Sequence, residues 1–331
     1  MRIAVLGLGA VGGHICARLC ASGRDLTAIA RGATLQALTK DGLALHIGDR
    51  TVHCRPRLSA SLAEAGRHDL VIVTMKATSL DPAMAAPLAG ILNPDGAILF
   101  LQNGIPWWYP VGREPGRLAT LDQARFADAL LAELPEAAVF GGVVYSANEV
   151  RGPGVIVNNS PDRNTFAFGP AGRSEASRMR LIEDAFAGCG LDVRHDSDIR
   201  LAVWRKLLIA APMPALCIAA AETPEGVRSS PELSQTFAAA VGEVARIAQA
   251  EGFALADAVD VHAMLGGMPP HLPSMVSDYL VGRPIELESA IVAPRLLAID
   301  KGVPTPVLDT LNAVIESRVR NRLSAEDGAS A

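Results

Sequence analysis

The sequence predicts an α/β fold in two parts, a doubly wound parallel sheet followed by an all-helical half. Three observations carry that prediction. A glycine-rich turn follows the first apolar run, short apolar runs then alternate with helix-like stretches, and helical periodicity takes over after about residue 174.

Ile3 to Leu6 is a continuous apolar run, the pattern of a strand buried on both faces. Gly7, Gly9, Gly12 and Gly13 follow, with a helix predicted from Val11 to Ala21. Leu26 to Ala30, Leu70 to Val73 and Ala97 to Leu101 predict further buried strands, and Leu80 to Leu92 has helical spacing. Residues 107–135 read as a loop and a helix. Ala138 to Ser146, Gly154 to Asn158 and Thr165 to Phe168 are expected to complete the same sheet, partly antiparallel. Beyond Ser174 the one strand candidate is Leu191 to Arg194. Ser197-Asp198 is a helix start before Ile199 to Ala211, Phe237 to Glu251 is a one-faced helix stopped by Gly252, and the Gly-Gly-Met-Pro-Pro stretch within Gly266 to Pro273 is a loop. The domains expected are 1–175 and 176–325, with a disordered tail at 326–331.

The 331 residues are enough for about two domains. Half are hydrophobic and a fifth charged, which excludes a disordered or fibrous chain. A net charge of −5 gives no general attraction to nucleic acid or an anionic membrane. No run of ~18 uninterrupted apolar residues suggests a membrane span. Met1-Arg2 and the following run imitate a secretory signal, but glycines and Arg18 break it. The five cysteines, Cys16, Cys20, Cys54, Cys189 and Cys217, contain no C-x-x-C pattern. Neither a disulfide framework nor a zinc ribbon is suggested. Cys16 and Cys20 read as small apolar residues sharing a helix face, no metal is expected, and a cytoplasmic location is.

Gly7-Leu8-Gly9-Ala10-Val11-Gly12 matches G-x-G-x-x-G directly after a strand and at the opening of a helix, the context that the Rossmann dinucleotide-binding fingerprint requires. Gly7 serves the tight turn, Gly9 lets backbone approach a pyrophosphate, and Gly12 allows close helix–strand packing. The helix N-terminus offers amides to the phosphates. The second strand ends Ile29-Ala30-Arg31-Gly32, with arginine where an NAD-specific site has an acid. Arg31 can pair with a 2′-phosphate, so NADPH is expected over NADH; a solvated loop charge is the plainer reading. Lys76, past the strand ending at Thr74, is either a second cation near the 2′-phosphate or the substrate, or a surface lysine.

Several fragments together resemble the ketopantoate reductase (2-dehydropantoate 2-reductase) family. They are the Gly7 to Gly13 segment, Val73-Thr74-Met75-Lys76, Gln102-Asn103-Gly104, Gly141-Gly142-Val143, Gly152-Pro153-Gly154, Trp204-Arg205-Lys206-Leu207, Pro273-Ser274-Met275, Gly282-Arg283-Pro284-Ile285-Glu286 and Gly302-Val303-Pro304-Thr305-Pro306. The resemblance implies an N-terminal Rossmann domain and an all-α C-terminal domain like that of 6-phosphogluconate dehydrogenase, with the active site in the cleft between. It implies hydride transfer from NADPH to the keto carbon of a 2-oxo acid. Lys206 then matches the catalytic lysine and Asn103 an asparagine near nicotinamide and substrate. Ser274 and Glu286 match the substrate-binding serine and acid. A cation with a mobile proton stabilises the oxygen that gains charge and completes the reduction. Glu286 could hold the lysine or bind a substrate hydroxyl. Without the resemblance, Lys206 would read as a helix-surface charge.

The chain also departs from the family pattern. Ala210, four residues after the lysine, Pro214 four beyond, and Ile291 stand where the family usually has asparagine. Each lost amide hydrogen bond matters by about 1 kcal/mol, so a more apolar pocket is expected. Reduction of ketopantoate to pantoate is the first expectation. Another branched or aromatic 2-oxo acid is the rival, and a non-catalytic NADPH-binding regulator the third reading. Trp107-Trp108-Tyr109 could line the pocket or pack the loop. The helical half could bury surface against a second copy, a homodimer.

Overall fold

The computed structural model describes residues 1–255, 259–268 and 271–329. The chain divides into two compact units. The first holds Met1–Gln102, Pro106–Glu114 and Asp122–Ala202, and the second Asn103–Ile105, Pro115–Leu121 and everything from Val203.

The first unit begins β1 (Arg2–Leu6), α1 (Ala10–Ala21), β2 (Asp25–Ile29), α2 (Gly32–Asp41), β3 (Leu43–Ile47), β4 (Arg50–Cys54), β5 (Arg57–Ser59), α3 (Leu62–Ala65) and β6 (His68–Val73). It continues α4 (Ala85–Gly90), β7 (Leu92–Leu101), α5 (Asp122–Glu133), β8 (Val139–Val144), β9 (Asn148–Gly152), β10 (Val155–Asn158), β11 (Thr165–Pro170), α6 (Ala176–Phe186) and β12 (Asp192–His195). Eight strands form one sheet in the order β12-β11-β8-β7-β6-β1-β2-β5. Its neighbours are parallel except β8 and β11. Ile3, Val5, Leu70, Ile72, Ala97 and Leu99 are wholly buried, which is why these strands read as unbroken apolar runs rather than alternating ones.

Two expectations for this half are corrected. Residues 154–158 were expected in the main sheet, but β10 belongs to a second sheet, β4-β3-β10-β9. There it pairs parallel with β3 and antiparallel with β9. The hairpin β3–β4 supplies the edge it needs, turning at Gly48 with φ +54°. The helix expected over 80–92 shrinks to α4, preceded by 3-10 turns at Ala77–Ser79 and Pro82–Met84. Pro82 brings no N–H, and the Asp81 carboxylate caps a new turn at Ala83 N (2.7 Å).

The aromatic loop after β7 packs inward. Trp107, Trp108 and Tyr109 are at most 1% exposed. The Trp107 ring meets Phe100 and Phe126 edge-on at 4.8 and 5.3 Å. Trp108 fills the space that a side chain at Gly141 would take. Arg200 holds the loop: Nε donates to the Tyr109 carbonyl (2.7 Å), and Nη2 to those of Val111 (2.7 Å) and Ala171 (2.6 Å).

The second unit is helical: α7 (Ile199–Ala210, entering it at Val203), α8 (Pro212–Ala220), α9 (Pro224–Ser229), α10 (Pro231–Ala250), α11 (Val261–Gly266), α12 (Ser274–Leu280), a π-helical turn at Glu288–Val292, α13 (Ala293–Lys301) and α14 (Pro306–Ala329). The stretch Ile199–Ala220 is long and apolar enough to cross a bilayer, but 72% of its apolar 18-residue window is buried inside the protein. Pro212 lacks the N–H to continue α7, so the path breaks at Ala211. Helix α10 starts six residues before the predicted Phe237, where the Ser230 side chain accepts from Leu233 N. Glu243 on α10, 2% exposed, accepts from the Val307 and Leu308 amides at 2.9 Å each and so caps α14.

The expected domain boundary at 175/176 falls instead at 202/203, because β12 pairs parallel with β11 and draws α6 and β12 into the first unit. Helix α14 runs to Ala329, through most of the tail expected to be disordered. Residues 330 and 331 of that tail, and Pro269-Pro270 of the expected loop, lie outside the described residues.

Candidate active site

Three glycines shape the turn between β1 and α1. Gly7 has φ +95°, and a Cβ there would lie 2.9 Å from the Met75 amide nitrogen. A Cβ on Gly12 would sit 1.9 Å from the Gly7 carbonyl oxygen and 2.2 Å from Thr74 Oγ1. Above Gly9, which is exposed, nothing lies within 4 Å of the Cβ position. Among the described residues no side chain caps α1, and its first turn has no acid. Free amides and the positive end of a twelve-residue helix thus face an open backbone surface, the arrangement that binds a phosphate. The Thr74 hydroxyl donates to the Leu6 and Gly7 carbonyls and ties the turn to the end of β6. Within the turn Leu8 is buried, and Ala10 and Val11 are half-buried.

Arg31 is exposed at the carboxyl end of β2, as the N-cap residue of α2. Among the described residues that helix too has no capping side chain, and its first turn has no acid. Lys76 is half-buried just past β6, its carbonyl accepting from Ser79 N at 2.9 Å.

Gln102 follows β7. Its Nε2 donates to the Met75 carbonyl (3.1 Å), while its Oε1 is buried with no hydrogen-bond partner among the described residues. A buried orphan acceptor calls for a donor, and the primary amide of a nicotinamide is one. In the sequence Gln102 stands out only as part of the Gln102-Asn103-Gly104 motif, and Thr74 carries no role of its own. The signal available was their position at the carboxyl ends of parallel strands, where open α/β sheets bind ligands. With the open glycine turn, these features fit a dinucleotide.

Lys206 lies inside α7, half-buried beside the buried Trp204, Leu207 and Leu208. Its Nζ donates to Asn103 Oδ1 at 2.6 Å. Lysine and asparagine were expected in different domains, but both belong to the second unit. Glu286 is half-buried, and its carbonyl accepts from Ser289 Oγ at 3.4 Å. Ser274 is exposed as the first residue of α12, which packs on α8. The structure thus brings Lys206 and Asn103 into direct contact and leaves Ser274 at a helix end. The glycine turn, Arg31 and Lys76 all lie in the first unit.

Of the departures, Ala210 is half-buried one turn after Lys206 on the same helix face. Pro214 is buried in α8, and Ile291 is wholly buried in the π-helical turn. His14 on α1 is no candidate acid near neutral pH. Burial, with Arg18 close by, pushes it down to about 3.

The Lys206–Asn103 pair presents an ammonium whose direction is fixed by a neutral amide oxygen. Such a group can stabilise an oxygen gaining negative charge and then hand it a proton.

A family profile described as "Ketopantoate reductase PanE/ApbA" matches residues 3–171, and one described as its C-terminal part matches residues 198–318. A 2-dehydropantoate 2-reductase of Mesorhizobium japonicum is 33% identical over 343 residues, covering 99% of each chain. A solved structure of a Ralstonia solanacearum protein assigned as a ketopantoate reductase is 28% identical, with TM-score 0.85 over 97% of this chain and 98% of that one. The ternary structure of D-mandelate dehydrogenase with NADH and anilino(oxo)acetate shares the fold at 21% identity, with TM-score 0.81 over 97% and 99% of the two chains.

Proposed function

This chain belongs to the ketopantoate reductase family, and from that premise we propose that it reduces ketopantoate to pantoate with NADPH, Lys206 supplying the proton. It is an oxidoreductase acting on a CH–OH group. The observation that carries the mechanism is the 2.6 Å hydrogen bond from Lys206 Nζ to Asn103 Oδ1.

When bound, the dihydronicotinamide supplies the hydride. Gly7, Leu8, Gly9, Ala10, Val11 and Gly12 would hold the pyrophosphate on the uncapped start of α1, and the orphan Gln102 oxygen would take an amide N–H. Lys206 holds a proton at Nζ. As the substrate carbonyl becomes an alkoxide, the ammonium stabilises the charge and releases that proton to the oxygen. Asn103 accepts from the ammonium and keeps it aimed; it would also lie beside the nicotinamide and substrate. Glu286 would accept the substrate hydroxyl or hold the lysine, and Ser274 would donate to the substrate carboxylate.

The choice of NADPH rests on Arg31 and the uncapped start of α2 beside it, two features that attract a 2′-phosphate; Lys76 would add a second cation. Arg31→Asp is expected to raise KM for NADPH by at least about tenfold, near 1.4 kcal/mol, while NADH gains relative to it. Initial rates with both cofactors decide this, and an unchanged ratio removes Arg31 from the site.

Ala210 supports a second reading. One turn past Lys206 it offers a methyl group and no amide, which suits a branched or aromatic 2-oxo acid. NADPH oxidation across a panel of 2-oxo acids separates the readings. Fastest turnover of ketopantoate is the expected result. Turnover restricted to aromatic or simple branched acids would replace it with the second reading, and tight NADPH binding without turnover would mark a regulator. A cytoplasmic location and a homodimer complete the proposal, supported by five free thiols and by Leu280 and Val281, exposed by 59% and 62% at the end of α12.

A further inference from the structure

The meeting of Asn103 with Lys206 is decided by neither of those side chains. The π-helical turn Glu288–Val292 runs into α13, and the amide of Ala293 bonds back to the Glu288 carbonyl, five residues away. The Ser289 carbonyl is therefore passed over by Ala293, its α-helical partner. Its π-helical partner would be residue 294, which is Pro294 and has no N–H. Both intrahelical donors are gone, and the freed oxygen accepts the amide of Ile105 at 2.7 Å.

Gly104 is shaped for that contact. Its φ is +75°, and a Cβ there would lie 2.5 Å from both the carbonyl carbon and the oxygen of Ser289 and 2.7 Å from its Oγ. The strap 103–105 can approach Ser289 only with glycine in the middle. Ser289 is 2% exposed, so it has no room to retreat. Its hydroxyl also donates to the carbonyl of Glu286. One buried serine thus holds the backbone on both sides of the candidate chemistry, at residue 286 and beside residue 103.

We propose that Gly104, Ser289 and Pro294 are positioning residues: a π-helical turn and a proline free the Ser289 carbonyl, which docks the strap and sets Asn103 against Lys206. The consequence for rate rests on the reductase reading above; the consequence for structure does not. A displaced strap misaims the ammonium without removing it, so turnover should suffer more than cofactor binding does.

The test uses Asn103→Ala, Gly104→Ala, Pro294→Ala and the double variant Asn103→Ala/Gly104→Ala in the full chain. The sequence has four lysines, Lys40, Lys76, Lys206 and Lys301, so the Lys206 ε-methylene signal can be assigned in lysine-labelled protein. Gly104→Ala should move that signal as Asn103→Ala does. Pro294→Ala restores a competing donor and should move it the same way by less. With an active substrate, Gly104→Ala should lower kcat by about 10²-fold, the cost of a misplacement of roughly 1 Å, a larger effect than any on KM for NADPH. In the Asn103→Ala background Gly104→Ala should add nothing, because it acts through Asn103. A Lys206 signal unmoved in both Gly104→Ala and Pro294→Ala overturns the proposal, as do rate losses that simply multiply. A wild-type chain that turns over no 2-oxo acid sinks the reductase reading instead, and the lysine signal still decides the lock.

Discussion

Replacing Lys206 with alanine is expected to lower kcat by about 10³-fold or more, a loss of roughly 4 kcal/mol of transition-state stabilisation. In the proposed mechanism the variant would remove the charge facing the nascent alkoxide and the proton that quenches it, and either loss alone is commonly worth about 10²-fold. The dinucleotide turn belongs to the first unit, and Lys206 is not part of it. The Kd for NADPH, read by quenching or enhancement of cofactor fluorescence, should therefore stay within about threefold. Lys206→Arg separates the two jobs. It keeps a positive charge but releases its proton poorly, since a guanidinium stays protonated throughout the working pH range. It should recover a small part of the lost rate. An alanine variant as fast as wild type would leave the chemistry without its donor and end the assignment.

The second large effect concerns stability. Arg200→Ala should destabilise the first unit by about 3–5 kcal/mol, because it takes the donor from several buried carbonyls, each worth about 1–3 kcal/mol when left unsatisfied. Arg200 is 6% exposed, and its guanidinium serves the carbonyls of Tyr109, Val111 and Ala171, three buried residues. Asp198, 3.7 Å from Nη1, contributes less because it is 43% exposed. Burial lowers the arginine's own pKa, with Arg113 adding to the effect, so the charge is held at some expense and matters for its hydrogen bonds. Urea unfolding followed by tryptophan emission is a suitable readout, because Trp107 and Trp108 lie in the loop that Arg200 ties down. A shift below about 1 kcal/mol would show that the carbonyls find other partners.

What the sequence revealed follows from how each feature is built. β1, β6 and β7 were legible because a parallel strand covered on both faces must be continuously apolar, as Ile3, Leu70 and Leu99 are. The small sheet was not. Strands such as Arg50–Cys54 mix Thr, His and Cys with partly buried positions, and only the partner strand gives the pattern meaning. The boundary was misjudged for a similar reason, since β12 is four residues long and three of them are exposed. Lys206 and Asn103 could be named from motifs, but their contact could not be read. It depends on a left-handed glycine and on a carbonyl freed far along the chain. Gln102 and Thr74 act through main-chain carbonyls, which leave no mark in a pattern of residue types.

The discontinuity of the helical unit limits what can be cut from this protein. A gene fragment starting at Val203 would encode the lysine but lack the strap 103–105 and the piece 115–121, both of which the unit counts as its own. Its freed carbonyl at Ser289 would meet solvent instead of Ile105. Swapping such halves between relatives by simple fusion would then pair each donor lysine with a foreign amide, so recombination within this architecture should succeed only when the two inserted segments travel with the C-terminal helices.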